Sequence, residues 1–317
     1  MQKFRSIQAL RGIAACGVVV LHARYFTGAP TDNGLAQIGG AGVDLFFVIS
    51  GFIMASIARP SVGTFLFDRA WRILPLWFIA VTPWILWKQP DWPVLLSSLT
   101  LWPIYDHFTL PALIVGWTLS FEWLFYLSIA LAMRTRPLLP LALFGVAVVA
   151  GAITHAPVFD LIGNPMIFEF LFGVMIARLP RARSFGLPLL LIGVAGLAVA
   201  PLSLCRAEVA ATAAISIWRV IFWGIPAALL VYACLCLEDR FTHRIFAPLM
   251  LLGDASYSIY LFHCLVTFGI VPWPFEAAGG ICLGIAAYWF VERPLIRLKP
   301  GGASRMILTA PVVQGSG

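Results

Sequence analysis

Apolar runs of about 20 residues recur along almost the whole chain. A helix of that length crosses the hydrocarbon core of a bilayer. The runs fall near 7–26, 40–58, 71–88, 111–133, 138–154, 163–179, 186–204, 217–237, 252–271 and 275–296. They predict an all-α polytopic membrane bundle of about ten transmembrane helices. A further apolar stretch at 92–104 is short for a full span and reads as an interfacial or re-entrant segment, or as an eleventh span. Composition agrees: of 317 residues, 61% are hydrophobic and 11% charged, and the mean hydropathy is +0.93. Soluble domains carry roughly 25% charged residues, and disordered chains are poor in apolar ones. Both classes are excluded.

The charge pattern orients the bundle. With ten spans and a cytoplasmic N-terminus, 16 of the 21 Lys and Arg residues fall in cytoplasmic segments and 4 on the far side, with Arg11 inside a span. The positive-inside rule then places both termini in the cytoplasm. Lys3 and Arg5 before an apolar run resemble a signal peptide, but Arg11 and His22 interrupt that run, so it reads as a retained first helix. The formal charge of +7 is spread between apolar runs, with no basic-aromatic patch, so no nucleic-acid partner is expected. The six cysteines mostly lie in apolar runs and imply neither a disulfide framework nor a zinc site. The five histidines have no paired ligand spacing, so no metal is expected. Residues 1–299 read as one membrane domain and 300–317 as a mobile tail. No internal repeat is visible.

Ionisable groups inside spans are costly and mark function by default. Arg11 and His22 are eleven positions apart, three helical turns plus about 20°, so they share a face about 16 Å apart along the axis. Snorkelling toward opposite interfaces is the alternative. Asp44 opens the second run and either orients the His22 ring or serves as a helix N-terminal carboxylate. Arg69 and Arg72 share a face suited to phosphate oxygens, or simply obey the positive-inside rule. Glu122 and Glu169 are carboxylates within spans, functional or tying helices together. Tyr257, Tyr260 and His263 step by three along one face, lining a polar path or, for the tyrosines, forming an interfacial belt.

Six blocks in order resemble the acyltransferase 3 family of membrane O-acyltransferases. They are Arg11 with His22, Gly42–Phe52 (GVDLFFVISGF), Arg69–Pro75 (RAWRILP), Trp117–Glu122 (WTLSFE), Ser256–His263 (SYSIYLFH) and Glu292–Pro294 (ERP). The similarity runs from about residue 5 to 297. The block Asn164–Gly173 resembles the subgroup that modifies exopolysaccharides such as succinoglycan. Longer members carry an esterase-like domain after the last helix, which the resemblance leads us to expect this chain to lack.

The resemblance implies acyl transfer, usually acetyl from acetyl-CoA, to a carbohydrate hydroxyl. It places the family's essential arginine and histidine on Arg11 and His22, and its cytoplasmic arginine motif on Arg69 and Arg72. The expected site follows. Arg69, Arg72 and Arg11 bind the donor, and His22 acts as general base or carries the acetyl group. Asp44 or Glu122 orients the ring, and Tyr257 and Tyr260 or backbone amides of a broken helix supply oxyanion donors. His263 and Glu169 line the substrate path. The expected partners are acetyl-CoA, a glycan or lipid-linked oligosaccharide, and membrane lipid, at the bacterial inner membrane. Oligomeric state is left open. A transporter or flippase for a polysaccharide precursor is the rival class, since it too needs buried charge.

Overall fold

A computed structural model describes residues 4–29, 37–57, 61–103, 108–135, 138–154, 156–199 and 217–300. Lys3, Arg59, His107, Arg136, His155, Cys205, Arg206 and residues 301–317 of the expected 300–317 tail lie outside the described residues. The described chain is helical, with no strand. Its helices are α1 (Arg5–Phe26), α2 (Ala41–Ser56), α3 (Val62–Lys88), α4 (Trp92–Thr100), α5 (Trp117–Arg134), α6 (Leu138–Thr154) and α7 (Phe159–Ile162). They continue with α8 (Ile167–Ile176), α9 (Arg183–Val199), α10 (Ile225–Cys236), α11 (Ala247–Asp254), α12 (Ser256–Phe262), α13 (Trp273–Ala287) and α14 (Arg293–Arg297). π-helical turns lead into α10 (Val220–Gly224) and α14 (Tyr288–Glu292).

Seven helical segments among the described residues are long and apolar enough to cross a membrane. An eighth results if the pair Arg244–Asp254 and Ser256–Leu265, bent by 50°, is one broken span. Leu139–Thr154 and Arg183–Val199 are shorter apolar helices. The protein is thus a multi-pass membrane protein, all-helical among the described residues and with about seven candidate spanning helices there. Of the stretch 92–104, the described residues 92–103 contain only the nine-residue α4, capped by Asp91 and ended by Leu101 at φ 56°. It is pinned to its surroundings by the Trp77 indole donating to the Ser98 carbonyl (2.9 Å) and by Ser97 Oγ donating to the Thr109 carbonyl (2.9 Å). Its length is too small for a span.

Helix α1 lies at the centre, packed against α2, α11, α12 and α13. Water cannot drive helix association inside a bilayer, so small residues that let backbones approach become decisive. Helices α2 and α8 show this reciprocally. A Cβ on Gly51 would sit 1.9 Å from the Phe170 carbonyl oxygen, and one on Gly173 would sit 1.9 Å from the Val48 carbonyl oxygen. Around this contact Phe47 stacks on Phe170 (centroids 4.5 Å) and Phe170 on Phe125 (4.4 Å). Phe170 is fully buried.

The ninth expected run divides at Ala255. Gln8 on α1 donates to Asp254 Oδ1 (2.6 Å), tying the end of α11 to the central helix. Beyond the break α12 runs alongside α13. This change of direction carries Tyr257 and Tyr260 to one side of α1 and delivers His263, on the single turn that follows α12, to His22.

Candidate active site

Helix α1 is unbroken from Arg5 to Phe26, so Arg11 and His22 stand about 16 Å apart along it. Arg11 opens onto a cavity of about 560 Å³, within the roughly 300–1,000 Å³ usual for small-molecule and cofactor sites. Arg69, Arg72, Glu122, Asp254, Tyr257, Tyr260 and Glu292 line the same cavity. Asp68, Ile296, Lys299, Phe46 and Thr118 line it as well. Three arginines from two helices therefore meet in one chamber.

Each cation is held in place. Arg72 forms an ion pair with Glu292 on the π-turn and lies 5.5 Å from the Tyr257 ring centroid. Glu292 also accepts from Ser258 Oγ (2.6 Å). Arg11 Nη1 approaches Gln8 Oε1 at 3.4 Å. Arg69 is buried and lies 6.0 Å from the Tyr126 ring centroid. Lys299 pairs with Asp68 in the lining of the cavity. The lining carries four cations, Arg11, Arg69, Arg72 and Lys299, beside four carboxylates, Asp68, Glu122, Asp254 and Glu292; the guanidinium forks among them suit phosphate oxygens.

Glu122 lines this chamber but does not touch His22. It accepts from the Tyr126 hydroxyl and from Ser50 Oγ (3.4 Å). Asp44 does not orient His22 either. Its two oxygens accept from Arg219, Nε to Oδ1 at 3.1 Å and Nη2 to Oδ2 at 2.8 Å, and both residues are buried. Arg219 also donates to the Gly40 carbonyl (3.1 Å). A fully buried guanidinium demands a carboxylate, and that demand claims Asp44. Glu169, expected on the substrate path, is fully buried outside the cavity, on the same side of the bundle as this pair and against Gly224.

The tyrosines line the cavity, but their hydroxyls are engaged. Tyr257 donates to the Ile73 carbonyl (3.0 Å) and Tyr260 to the Val115 carbonyl (3.0 Å), with Thr118 Oγ1 2.9 Å from the latter hydroxyl. In this arrangement neither hydroxyl is free to serve as an oxyanion donor.

His22 finds its partner in His263. The nitrogens Nδ1 of His22 and Nε2 of His263 are 2.8 Å apart, with the rings nearly parallel (6°). His263 is fully buried and lies outside the cavity lining, whereas His22 is half-buried. The expectation of His263 as a path-lining group is thus replaced by a direct contact. Tyr260 lines the cavity, and its ring centroid is 6.3 Å from that of His263. Cys264 Sγ lies 3.4 Å from His263 Nε2. Among the described residues, His22, His263 and Cys264 alone bring three metal-ligating atoms together, within 4.8 Å. The 2.8 Å nitrogen contact is a hydrogen-bond distance.

Beyond His22 the end of the bundle is aromatic. The Phe26 ring lies 6.3 Å from His22. Gly269, at φ 73°, packs so close to Phe26 that a Cβ would lie 2.4 Å from its carbonyl oxygen. Buried Glu276 accepts from the Ile270 amide (2.8 Å) and fixes this loop. Phe268, on the loop, clusters with Trp84 and Trp87 at 6.2 and 6.1 Å. Trp87 is 68% exposed and Phe268 45%.

Sequence reading singled out neither Glu292 as the arginine clamp nor Arg219 as the partner of Asp44. Glu292 carried a signal, since it opens the Glu292–Pro294 block. Nothing in the linear spacing pointed to Asp254, Glu276 or the Trp84–Trp87–Phe268 cluster.

Comparisons with known proteins add an independent line. The acyltransferase domain of the acyltransferase 3 family matches residues 4–291. The exopolysaccharide production protein ExoZ of Rhizobium meliloti (strain 1021) is 35% identical over 297 residues, covering 82% of this chain and 90% of its own. YrhL of Bacillus subtilis (strain 168), named for peptidoglycan O-acetyl transfer, is 24% identical over 359 aligned positions, covering 91% of this chain and 54% of its own. No solved structure matches significantly.

Proposed function

The chain belongs to the acyltransferase 3 family of membrane O-acyltransferases, and we propose that it moves an acetyl group from acetyl-CoA to a hydroxyl of an exopolysaccharide or other cell-surface glycan. The observation that carries this reading is the arginine chamber joined by one helix to a histidine. Arg11 in the chamber and His22 beyond it are fixed on the same rigid element. The donor enters from the cytoplasm at the Asp68–Lys299 pair. Arg69, Arg72 and Arg11 bind its phosphates, and its extended arm runs along α1 toward His22. The proposal places the chain in a bacterial inner membrane with ten spans and both termini cytoplasmic, a topology that puts 16 of the 21 basic residues on the cytoplasmic side and 4 on the far side.

The chemistry balances simply. The acceptor oxygen bonds to the acetyl carbon, the carbon–sulfur bond breaks, and the hydroxyl proton passes through His22 to the departing thiolate. His22 acts either as the base in one displacement or as the nucleophile in two. The name of ExoZ supports an exopolysaccharide acceptor, and that of YrhL supports O-acetylation as the reaction. The exposed aromatic cluster at the His22 end offers faces on which sugar rings can stack.

The test is label transfer. Membranes containing the protein receive acetyl-labelled acetyl-CoA and extract from a polysaccharide-producing host, alongside membranes with His22→Ala inserted equally well. Label on glycan with wild type only is the expected result. Equal label from both would remove His22 from the chemistry. No label from either, with several glycans supplied, would overturn the donor or acceptor assignment.

A further inference from the structure

We infer that His263 is a positioning residue that holds His22 in a single tautomer, with the proton on Nδ1 and the lone pair of Nε2 directed to the reaction. This deepens the acyl-transfer reading and rests on it for its consequence, though not for its geometry.

The hydrogen bonds fix the direction. His263 Nδ1 lies 3.0 Å from the Ile259 carbonyl oxygen, one turn earlier on α12. A carbonyl can only accept, so Nδ1 of His263 carries a proton. A neutral imidazole has one N–H, so Nε2 of His263 is bare and must accept. Its neighbour at 2.8 Å is His22 Nδ1, which must therefore donate. A neutral His22 then has its lone pair on Nε2 alone.

The alternative is a charged His263, which would donate through both nitrogens and reverse the tautomer of His22. Its surroundings oppose this. His263 is fully buried, and among the described residues no carboxylate lies within hydrogen-bond distance of either ring. Besides His22, the Cys264 thiol approaches Nε2, at 3.4 Å. An isolated cation there has no compensating charge.

The arrangement does what a carboxylate does for a catalytic histidine elsewhere: it selects the tautomer and fixes the ring. Here an uncharged acceptor performs the task at membrane depth, where a carboxylate would be costly. The fold supports the pair from behind. His263 sits on the turn that ends α12, and a Cβ on Gly280 of α13 would lie 3.0 Å from the His263 Cβ. Helix α13 thus packs directly against the His263 Cα and Cβ.

Two measurements on the full chain in lipid nanodiscs test the inference. In the first, nitrogen-15 spectra of labelled histidines are compared between wild type and His22→Gln to identify the His22 signals. Nδ1 protonated and Nε2 bare is the expected pattern. The reverse tautomer, or protons on both nitrogens, would overturn the assignment, as would metal bound at one equivalent per chain. In the second, acetyl transfer is measured for His263→Leu and His263→Gln at equal thermal stability. Leu offers no acceptor, and kcat should fall about 100-fold or more with the KM for acetyl-CoA within about twofold of wild type. The Gln amide oxygen can reach the position of Nε2, so this variant should recover to within about tenfold of wild type. Wild-type rates from His263→Leu, or equal loss in both variants, would overturn the role. Absence of transfer by the wild type would instead sink the acyl-transfer reading, while the spectra still decide the tautomer.

Discussion

Arg219 grips Asp44 from 175 positions away through two parallel hydrogen bonds of 3.1 and 2.8 Å, with both residues shielded from solvent. Removing one partner leaves an uncompensated buried charge, at a cost of about 3–5 kcal/mol. Asp44→Leu and Arg219→Met should each lower the thermal midpoint in detergent sharply. The double variant should recover most of the loss, because a matched apolar pair carries no desolvation cost. Additive losses in a double-mutant cycle would show that the pair is uncoupled.

Glu169 lies fully buried beside this pair, with its carboxyl group against that of Asp44. An amide of the same shape is cheaper to bury than a carboxylate. Glu169→Gln should therefore fold as well as wild type or better, judged by thermal midpoint, and retain transfer activity. Loss of activity at full stability would return Glu169 to the substrate path.

The arginine chamber predicts a donor-specific defect. A hydrogen bond to a charged group contributes about 1.5–3 kcal/mol, so Arg69→Gln or Arg72→Gln should raise the KM for acetyl-CoA by about 10- to 100-fold. The acceptor KM should change little. Glu292→Gln frees Arg72 from its clamp and should raise the donor KM less than removing the arginine itself. Steady-state kinetics with each substrate varied in turn would check all three.

The tyrosine hydroxyls give a sharper test. Loss of an oxyanion donor costs about 10²–10³ in kcat. Tyr260 donates to the Val115 carbonyl instead, so Tyr260→Phe should reduce kcat by only about twofold to fivefold, the loss of one ordinary hydrogen bond. A hundredfold loss would mean that the hydroxyl turns toward the reaction during turnover.

On the aromatic end, Trp87→Ala should raise the acceptor KM with little change in the donor KM. Aromatic contacts contribute about 0.5–1.5 kcal/mol, so the expected rise is about threefold to tenfold. Competition between oligosaccharides and wild type or variant would measure it. An unchanged acceptor KM would assign the cluster to the membrane interface.

Much of this protein was legible in order along the chain. Apolar runs announced a membrane bundle because the bilayer imposes one length on every spanning helix. Arg11 and His22 shared a face because helical periodicity alone sets that relation. The positions of Arg69, Arg72, Tyr257 and Tyr260 in one chamber agree with their polarity in apolar surroundings, which leaves such groups few places to go. What the order of residues could not reveal was pairing. Asp44 and Glu122 were equally plausible partners for His22, since both are carboxylates in spans. Only packing assigned Asp44 to Arg219, Glu122 to Tyr126 and His22 to His263. The break at Ala255 likewise hid within one apolar run, because hydropathy does not register a 50° bend. Composition and periodicity act within a helix, whereas hydrogen-bond partners are chosen by which helices touch, and that was decided in the tertiary structure.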